Sequence, residues 1–477
     1  MKKFLTVFML LGIVIFVAAC GNDGDATNGA GAQPGLEGEL TGTLNLWTFT
    51  SQWQALAVEF MANHPNLDLV VTFISDNEGE YQTALTNALA TGHELPDVVI
   101  LEAAFVREFI EVPGWFRNLN DLLPLTEELE TFQFVLEAGT VDNELRAMGI
   151  QATPGAMMVR RSLAQEIFGT QDPTTLQTYF RDLDTMLASA QRIHDHSNGM
   201  VHVVSDVGAM MQPFFSNRNY PWIYNNTVTL DPSVFDFMDF AYQLRSNGFD
   251  FDVHNWSGGW FQGMNDEFVD AAGNSRQFFS YFLPTWGIPY VLMPNAEDTA
   301  GDWMIIPGPL PYQWGGTFFA VTNNAANPEA ALALLQFATL DREAMERYAL
   351  EGFPQERLRY VYDNHPGSIT PTLPDGLNIG TGDFLSSQVV VNSISYRFSE
   401  GPTADFLGGQ NAYEFFGQIA PTVSSRLMQG TDFMFQGAFQ DSVRLYITGQ
   451  MTRDEAIEEF WTQIRGANLP PGVTVPN

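Results

Sequence analysis

The sequence predicts an α/β protein in two lobes, each a mostly parallel sheet flanked by helices, with a cleft between them. Three observations point there. Residues 43–101 alternate strand, helix, strand, helix, strand, which is the pattern of a βαβαβ unit. The chain has 477 residues, 45% of them hydrophobic, enough for two domains or two lobes of one binding unit. Cys20 is the single cysteine, so the fold relies on an apolar core and not on disulfides.

The chain opens on an address. Lys2 and Lys3 precede an almost unbroken apolar run, Phe4 to Phe16, closed by Val17-Ala18-Ala19-Cys20. A positive head, a short apolar stretch and small residues make a secretory signal. Its end resembles the lipobox of bacterial lipoproteins, which implies cleavage before Cys20 and lipid attachment there. A transmembrane anchor is the other reading, but a span needs roughly 20 apolar residues and no charged stop follows this run. Residues 21–42 are rich in Gly, Asn, Asp and Ala and read as a flexible tether. Asp23 and Asp25 lack the further ligands of a calcium loop.

The formal charge is −35, and it falls to −37 without residues 1–20, which hold Lys2 and Lys3 and no acid. So acidic a body is repelled by nucleic acid and by anionic lipid, which argues against both as partners.

Leu44 to Phe49 alternates like a strand, and Trp53, Leu56, Ala57, Phe60 and Met61 then fall at helical spacing. Ser51 with Gln54 has the form of a capping box, which places the helix start just after Phe49. Val70–Ile74 is a second strand, Tyr81 to Leu89 a second amphipathic helix, and Pro96–Leu101 an apolar run of the kind buried on both faces of a parallel sheet. Ligands of such units gather at the carboxyl ends of the strands. That rule selects Trp47, Thr48, Phe49, Ser75, Asp76 and Glu102. The rings can equally be core, and the acids ordinary loop residues.

Leu46-Trp47-Thr48-Phe49, then Phe60 with His64-Pro65, then Gly92-His93-Glu94-Leu95-Pro96-Asp97-Val98-Val99 resemble the opening of the extracellular solute-binding proteins of ABC importers, the maltose-binding-like family. The resemblance implies a periplasmic-binding-protein-like (type II) fold. It places residues 43–150 with 304–340 in one lobe and 151–303 with 341–477 in the other. Arg146 to Pro154 occupy the first crossing between lobes, and Asp302 to Pro309 the second, ending in a proline as the family strand does. Trp314-Gly315-Gly316-Thr317 matches the family's Gly-Gly strand, and Asn327-Pro328 opens a helix with proline in its first turn.

Tryptophans recur in the second lobe in segments rich in Gly and Pro: Trp222, Trp260 in Trp256-Ser257-Gly258-Gly259-Trp260, and Trp286 in Leu283-Pro284-Thr285-Trp286. Flat rings beside carboxylates and amides suit a sugar, whose C–H face packs on the ring while its hydroxyls pair with the polar groups. Trp222 and Trp260 can also be core. Trp314, Gly315 and Gly316 join the candidates because glycines let backbone approach a ligand closely, a tight turn being the alternative.

The sequence has no Gly-x-Ser-x-Gly elbow, His-Glu-x-x-His, P-loop or cysteine nucleophile, so no catalytic residue is assigned. His194-Asp195-His196 with His202 does not make a tetrahedral set, and neither metal nor cofactor is expected. No internal period suggests an adhesin array. The expectation is a monomeric lipoprotein, held on the outer face of the cell membrane, that captures a carbohydrate (an oligosaccharide) and delivers it to an ABC permease by closure of its lobes. A surface-anchored glycan-active enzyme, or a binder of another solute such as a polyamine, is the alternative.

Overall fold

The computed structural model describes residues 39–351 and 382–476. The signal segment with Cys20, and almost all of the tether, lie outside them. Among the described residues no helix is long and apolar enough to cross a membrane.

The strands of the two larger sheets are β1 (Gly42–Thr48), β2 (Leu67–Phe73), β3 (Val98–Glu102), β4 (Met148–Gly149), β5 (Gly155–Arg160), β6 (Ser280–Pro284), β7 (Trp303–Ile306) and β8 (Thr317–Val321). The first sheet has the order β2-β1-β3-β8-β4. β1 pairs in parallel with β2 and β3, and β8 runs antiparallel to β3 and β4. Helices Ser51–Ala62 and Glu80–Thr91 are the two crossovers of the predicted unit. The first helix has Thr50 as its N-cap, with no side-chain cap from it, and the turn before it is held by the Thr48 hydroxyl, which donates to Thr50 O at 2.9 Å; the side chains of Ser51 and Gln54, the expected capping box, lie outside the described ones.

Buried Asp97 ties this sheet together. Its carboxylate accepts from Asn45 N at 2.8 Å, Asn45 Nδ2 at 2.9 Å and Asn327 N at 2.9 Å, joining β1, the entry to β3 and the N-cap of helix Pro328–Thr339. The Pro-Asp-Val-Val stretch therefore has a structural reason: the carboxylate satisfies three donors where three elements meet.

The second sheet has the order β6-β5-β7, and both pairings are antiparallel. The expectation of a mostly parallel sheet in each lobe is corrected here. A continuous apolar run such as Ala156-Met157-Met158-Val159 shows that both faces are covered, and it does not tell which way the neighbours run. Around this sheet lies a core of Phe180, Phe214, Phe237, Phe439 and Phe460.

Two stretches join the sheets, 150–154 between β4 and β5 and 307–316 between β7 and β8. They run side by side: Gly155 N donates to Tyr312 O at 2.7 Å, Trp314 N to Thr153 O at 3.2 Å and Thr153 Oγ1 to Gly315 O at 2.7 Å. The expected partition needs two corrections. Residues 304–306 belong to β7 and pair with β5, because the proline that ends the crossing strand follows the pairing instead of preceding it. Residues 341–477 also divide. Helix Arg342–Leu350 packs on Pro328–Thr339, and 384–386 bond to Phe132, Ile150 and Ala152 beside the first sheet. Helices Asp432–Ile447 and Arg453–Gly466 pack on Ser233–Ser246 and the second core. Between these parts Glu137 accepts from Ser424 Oγ and Ser425 N, and Glu111 from Gly430 N, so 424–430 is a third link.

Candidate functional site

A cleft of about 730 Å³ opens where the crossings meet, within the size range of small-molecule sites. Its wall on the first-sheet side includes Glu102 at the end of β3. The second crossing contributes Trp314 and Gly315, the loop before helix Gly258–Met264 contributes Asp252, His254 and Trp256, and helix Asp432–Ile447 contributes one exposed face.

Three indoles cluster at the cleft. Trp256 and Trp286 are nearly parallel, 14° apart with centroids at 6.4 Å, and Trp314 stands edge-on to both at 6.0 and 5.7 Å. Backbone geometry holds them. The Trp286 Nε1–H donates to Trp314 O at 2.9 Å. Gly315 has φ +81°, and a Cβ there would come 2.7 Å from Trp286 Nε1 and 3.5 Å from Glu102 Oε1. Trp256 has φ +68°, unusual for so bulky a residue, and is 48% exposed. A left-handed tryptophan persists only where its surroundings over-determine it, which is common at binding sites.

Glu102 faces this cluster half-buried. Burial pushes its carboxyl up to about 7; the Ala104 N–H it accepts at 2.9 Å works against that rise, and the negative charge of Asp76 adds to it. Near neutral pH the group therefore exists both as acceptor and as O–H donor.

Beside Trp256 lies a charged group in which Arg245 binds Asp250 at 2.7 Å, Asp252 at 2.8 Å and Asp206 at 3.4 Å, while His254 Nδ1 meets Asp206 at 3.1 Å. Carboxylate and imidazole atoms of Asp206, Asp252 and His254 lie within 4.8 Å of one another, a spacing that could hold a cation. The Arg245 guanidinium already lies on both carboxylates and supplies the counter-charge there.

Of the residues expected from sequence, Glu102, Trp314 and Gly315 line the cleft, and Trp286 joins through its contacts with Trp256 and Trp314. Gly316, at φ +110°, is buried against Thr153. Trp47, next to last in β1, is half-buried, with its carbonyl accepting from Tyr81 Oη at 3.1 Å, and Asp76 is exposed on the loop after β2. Three expectations are corrected. Thr48 is fully buried and occupied by its turn with Thr50. Trp222 is 1% exposed, stacked on Phe435 at 5.6 Å and covered by the Arg218 guanidinium at 4.3 Å. Trp260 is 2% exposed and packs edge-on against Tyr281. Both indoles are core because each side of the ring is filled by protein.

Trp256 takes the place expected of Trp260. The signal was present: Trp256 precedes Ser257, the N-cap of helix Gly258–Met264, so it lies outside the helix whose interior buries Trp260. The Arg245 group had no such signal, because its members are scattered over residues 206–254.

A family model described as bacterial extracellular solute-binding protein matches residues 47–345. No curated protein matches the chain at a significant level. A crystal structure of an extracellular solute-binding protein of family 1 superposes with TM-score 0.71 at 17% identity, over 89% of this chain and 100% of that one. The ABC transporter associated binding protein from B. animalis subsp. lactis Bl-04, in complex with beta-1,6-galactobiose, gives 0.60 at 18% identity over 92% and 100%. The sugar-binding protein MalE from Xanthomonas citri gives 0.62 at 15% identity over 89% and 96%. At such identities the likeness is one of fold, and the fold is the two-lobed, periplasmic-binding-protein-like one.

Proposed function

Because this chain belongs to the bacterial extracellular solute-binding protein family, we propose that its cleft captures a carbohydrate and hands it to the membrane permease of an ABC importer. The observation that carries this reading is the cluster of Trp256, Trp286 and Trp314 beside Glu102, Asp252 and His254. Indole faces take the apolar side of a pyranose, and carboxylates, imidazole and a charge-shared Arg245 take its hydroxyls. The relatives that bind galactobiose or are sugar-binding by name support the same class. Trp47, Thr48, Asp76, Trp222 and Trp260 are left out of the proposed contact set, and Gly316 acts through the backbone it shapes.

Binding alone is proposed, without turnover, so ligand should be recovered unchanged. Residues 1–20 export the chain, and Cys20 carries the lipid that holds the monomeric body at the cell surface. Palmitate labelling that survives Cys20→Ser would remove that part.

The test is thermal stability of the protein against saccharides, polyamines and amino acids. A ligand at a hundredfold its dissociation constant adds about 2.7 kcal/mol. Stabilisation by saccharides alone is expected. Stabilisation by polyamines or amino acids with silence from every saccharide would overturn the carbohydrate reading. Replacing Trp314 by Ala should weaken saccharide binding more than tenfold, about 1.4 kcal/mol.

A further inference from the structure

Where the link 424–430 runs into helix Asp432–Ile447, an ion pair from each side of the cleft meets the other. From the first-sheet side, at the end of helix Val106–Ile110, Arg107 Nε donates to Glu111 Oε1 at 2.9 Å. From the second-sheet side come Arg218, just after helix Met211–Ser216, and Asp432, 3.7 Å apart. The two sides touch at Gly430. Its N–H donates to Glu111 Oε2 at 3.0 Å, and a Cβ on it would come 2.9 Å from Glu108 Cα and 3.1 Å from Arg107 O. Gly430 is not in the left-handed region, so what demands a glycine is the helix backbone lying against it.

The two pairs differ in quality. Arg107 and Glu111 are hydrogen-bonded, whereas 3.7 Å is too long for a bond between Arg218 and Asp432. Asp432 Oδ1 and Arg218 Nη1 are both buried without a hydrogen-bond partner. Arg218 spends its Nε–H on Phe215 O at 3.1 Å and lies flat on Trp222, and the other oxygen of Asp432 accepts only from Gln429 N, at 3.1 Å. A carboxylate oxygen that is neither hydrated nor bonded is costly in its ionised form and much less so when neutral. The charged groups that face Asp432 are Arg218, Arg107 and Glu111; Asp231 stands behind Arg218, and Glu108 shares the helix that touches Gly430. Burial pushes the Asp432 carboxyl up to about 6; Arg218, the Gln429 N–H and Arg107 oppose that rise, and the charge of Glu111 adds to it.

We infer that this joint is a proton-operated latch: a neutral Asp432 lets helix Val106–Ile110 close on Gly430, and an ionised Asp432 favours a parted joint in which water reaches the carboxylate. The sign follows from linkage. A carboxyl at about 6 in the closed joint that returns to the ordinary 3.8 when parted takes up a proton on closing anywhere between those values. The ratio of closed to parted molecules therefore grows as pH falls, by about tenfold between pH 7.5 and 5. Capture is favoured in mildly acidic surroundings, and release nearer neutrality.

The experiment measures the radius of gyration by solution scattering at pH 7.5 and pH 5, at fixed salt and without ligand, so its outcome is independent of the carbohydrate reading. It compares the unaltered chain with Asp432→Asn, Glu102→Gln and Gly430→Ala, each confirmed by melting to be folded at both pH values. The expected result is a parent that is more compact at pH 5. Asp432→Asn, neutral throughout, should be compact at both pH values, while Glu102→Gln should respond to pH as the parent does. Gly430→Ala, whose methyl meets the Glu108 backbone, should be the most open at pH 7.5 and be drawn back by acid. The loss of acidic self-repulsion at pH 5 acts on every variant alike, so the difference between the parent and Asp432→Asn is the reading. A pH response that survives Asp432→Asn, or radii that ignore pH in both the parent and Gly430→Ala, overturns the inference.

Discussion

Glu102 is the residue whose chemistry is most open to measurement. Burial lifts its folded-state pKa from the ordinary 4.5 to about 7. Between those values the folded chain keeps a proton that the unfolded chain has released, so its contribution to stability rises as pH falls through about 7 and is lost above it. Glu102→Gln, fixed in a neutral form, should therefore gain stability relative to the parent above that pH and lose the advantage below it. Denaturant melts on both sides of about pH 7 check this, and parallel curves for the two proteins would refute it. Gly315 makes a second test. Alanine there meets φ +81° and the Trp286 indole 2.7 Å from its methyl, so it should cost about 1–3 kcal/mol and shift tryptophan emission. Gly315 and Trp314 were legible in the sequence because Trp-Gly-Gly announces a backbone with no room for side chains. Trp222 and Trp260 misled, since a tryptophan near glycine and proline looks the same whether its two faces meet protein or a cleft.

At the scale of elements, the βαβαβ opening was legible throughout because its apolar periods change cleanly from two to 3.6 and back. The direction of the second sheet was not, since β5, β6 and β7 come from distant parts of the chain and each is apolar on both faces. What holds the first sheet to its helices is concentrated in Asp97. Replacing it by Ala leaves the backbone donors of Asn45 and Asn327 without their partner inside the structure, at about 1–3 kcal/mol for each buried group left unsatisfied. Asp97→Ala should lower the denaturation midpoint strongly, and Asp97→Asn, which keeps the acceptor oxygen, should recover part of it. An Asp97→Ala protein as stable as the parent would show that the junction is held by packing alone.

For the whole molecule, the same joints that bring the cleft walls together must let them part. The crossings 150–154 and 307–316 are bound to each other through Thr153, Tyr312 and Gly315, and 424–430 is tied to Glu111 and Glu137. The crossings therefore form a hinge whose strands move together, and the third link reaches elements beside the first sheet from the start of the helix that lines the cleft. Opening the cleft by a rotation at the hinge would stretch the bonds at Glu111 and Glu137 before those at Thr153, which lie near the axis. Removing the outer bonds with Glu111→Ala and Glu137→Ala should shift the population toward the open form, since a closed state favoured by a few kcal/mol responds to the loss of bonds made in that state alone. Solution scattering without ligand should show a larger radius of gyration for the double variant, and saturating saccharide should bring both proteins to the same compact value. Identical radii without ligand would mean that the third link rides with the hinge in both states and takes no part in closure.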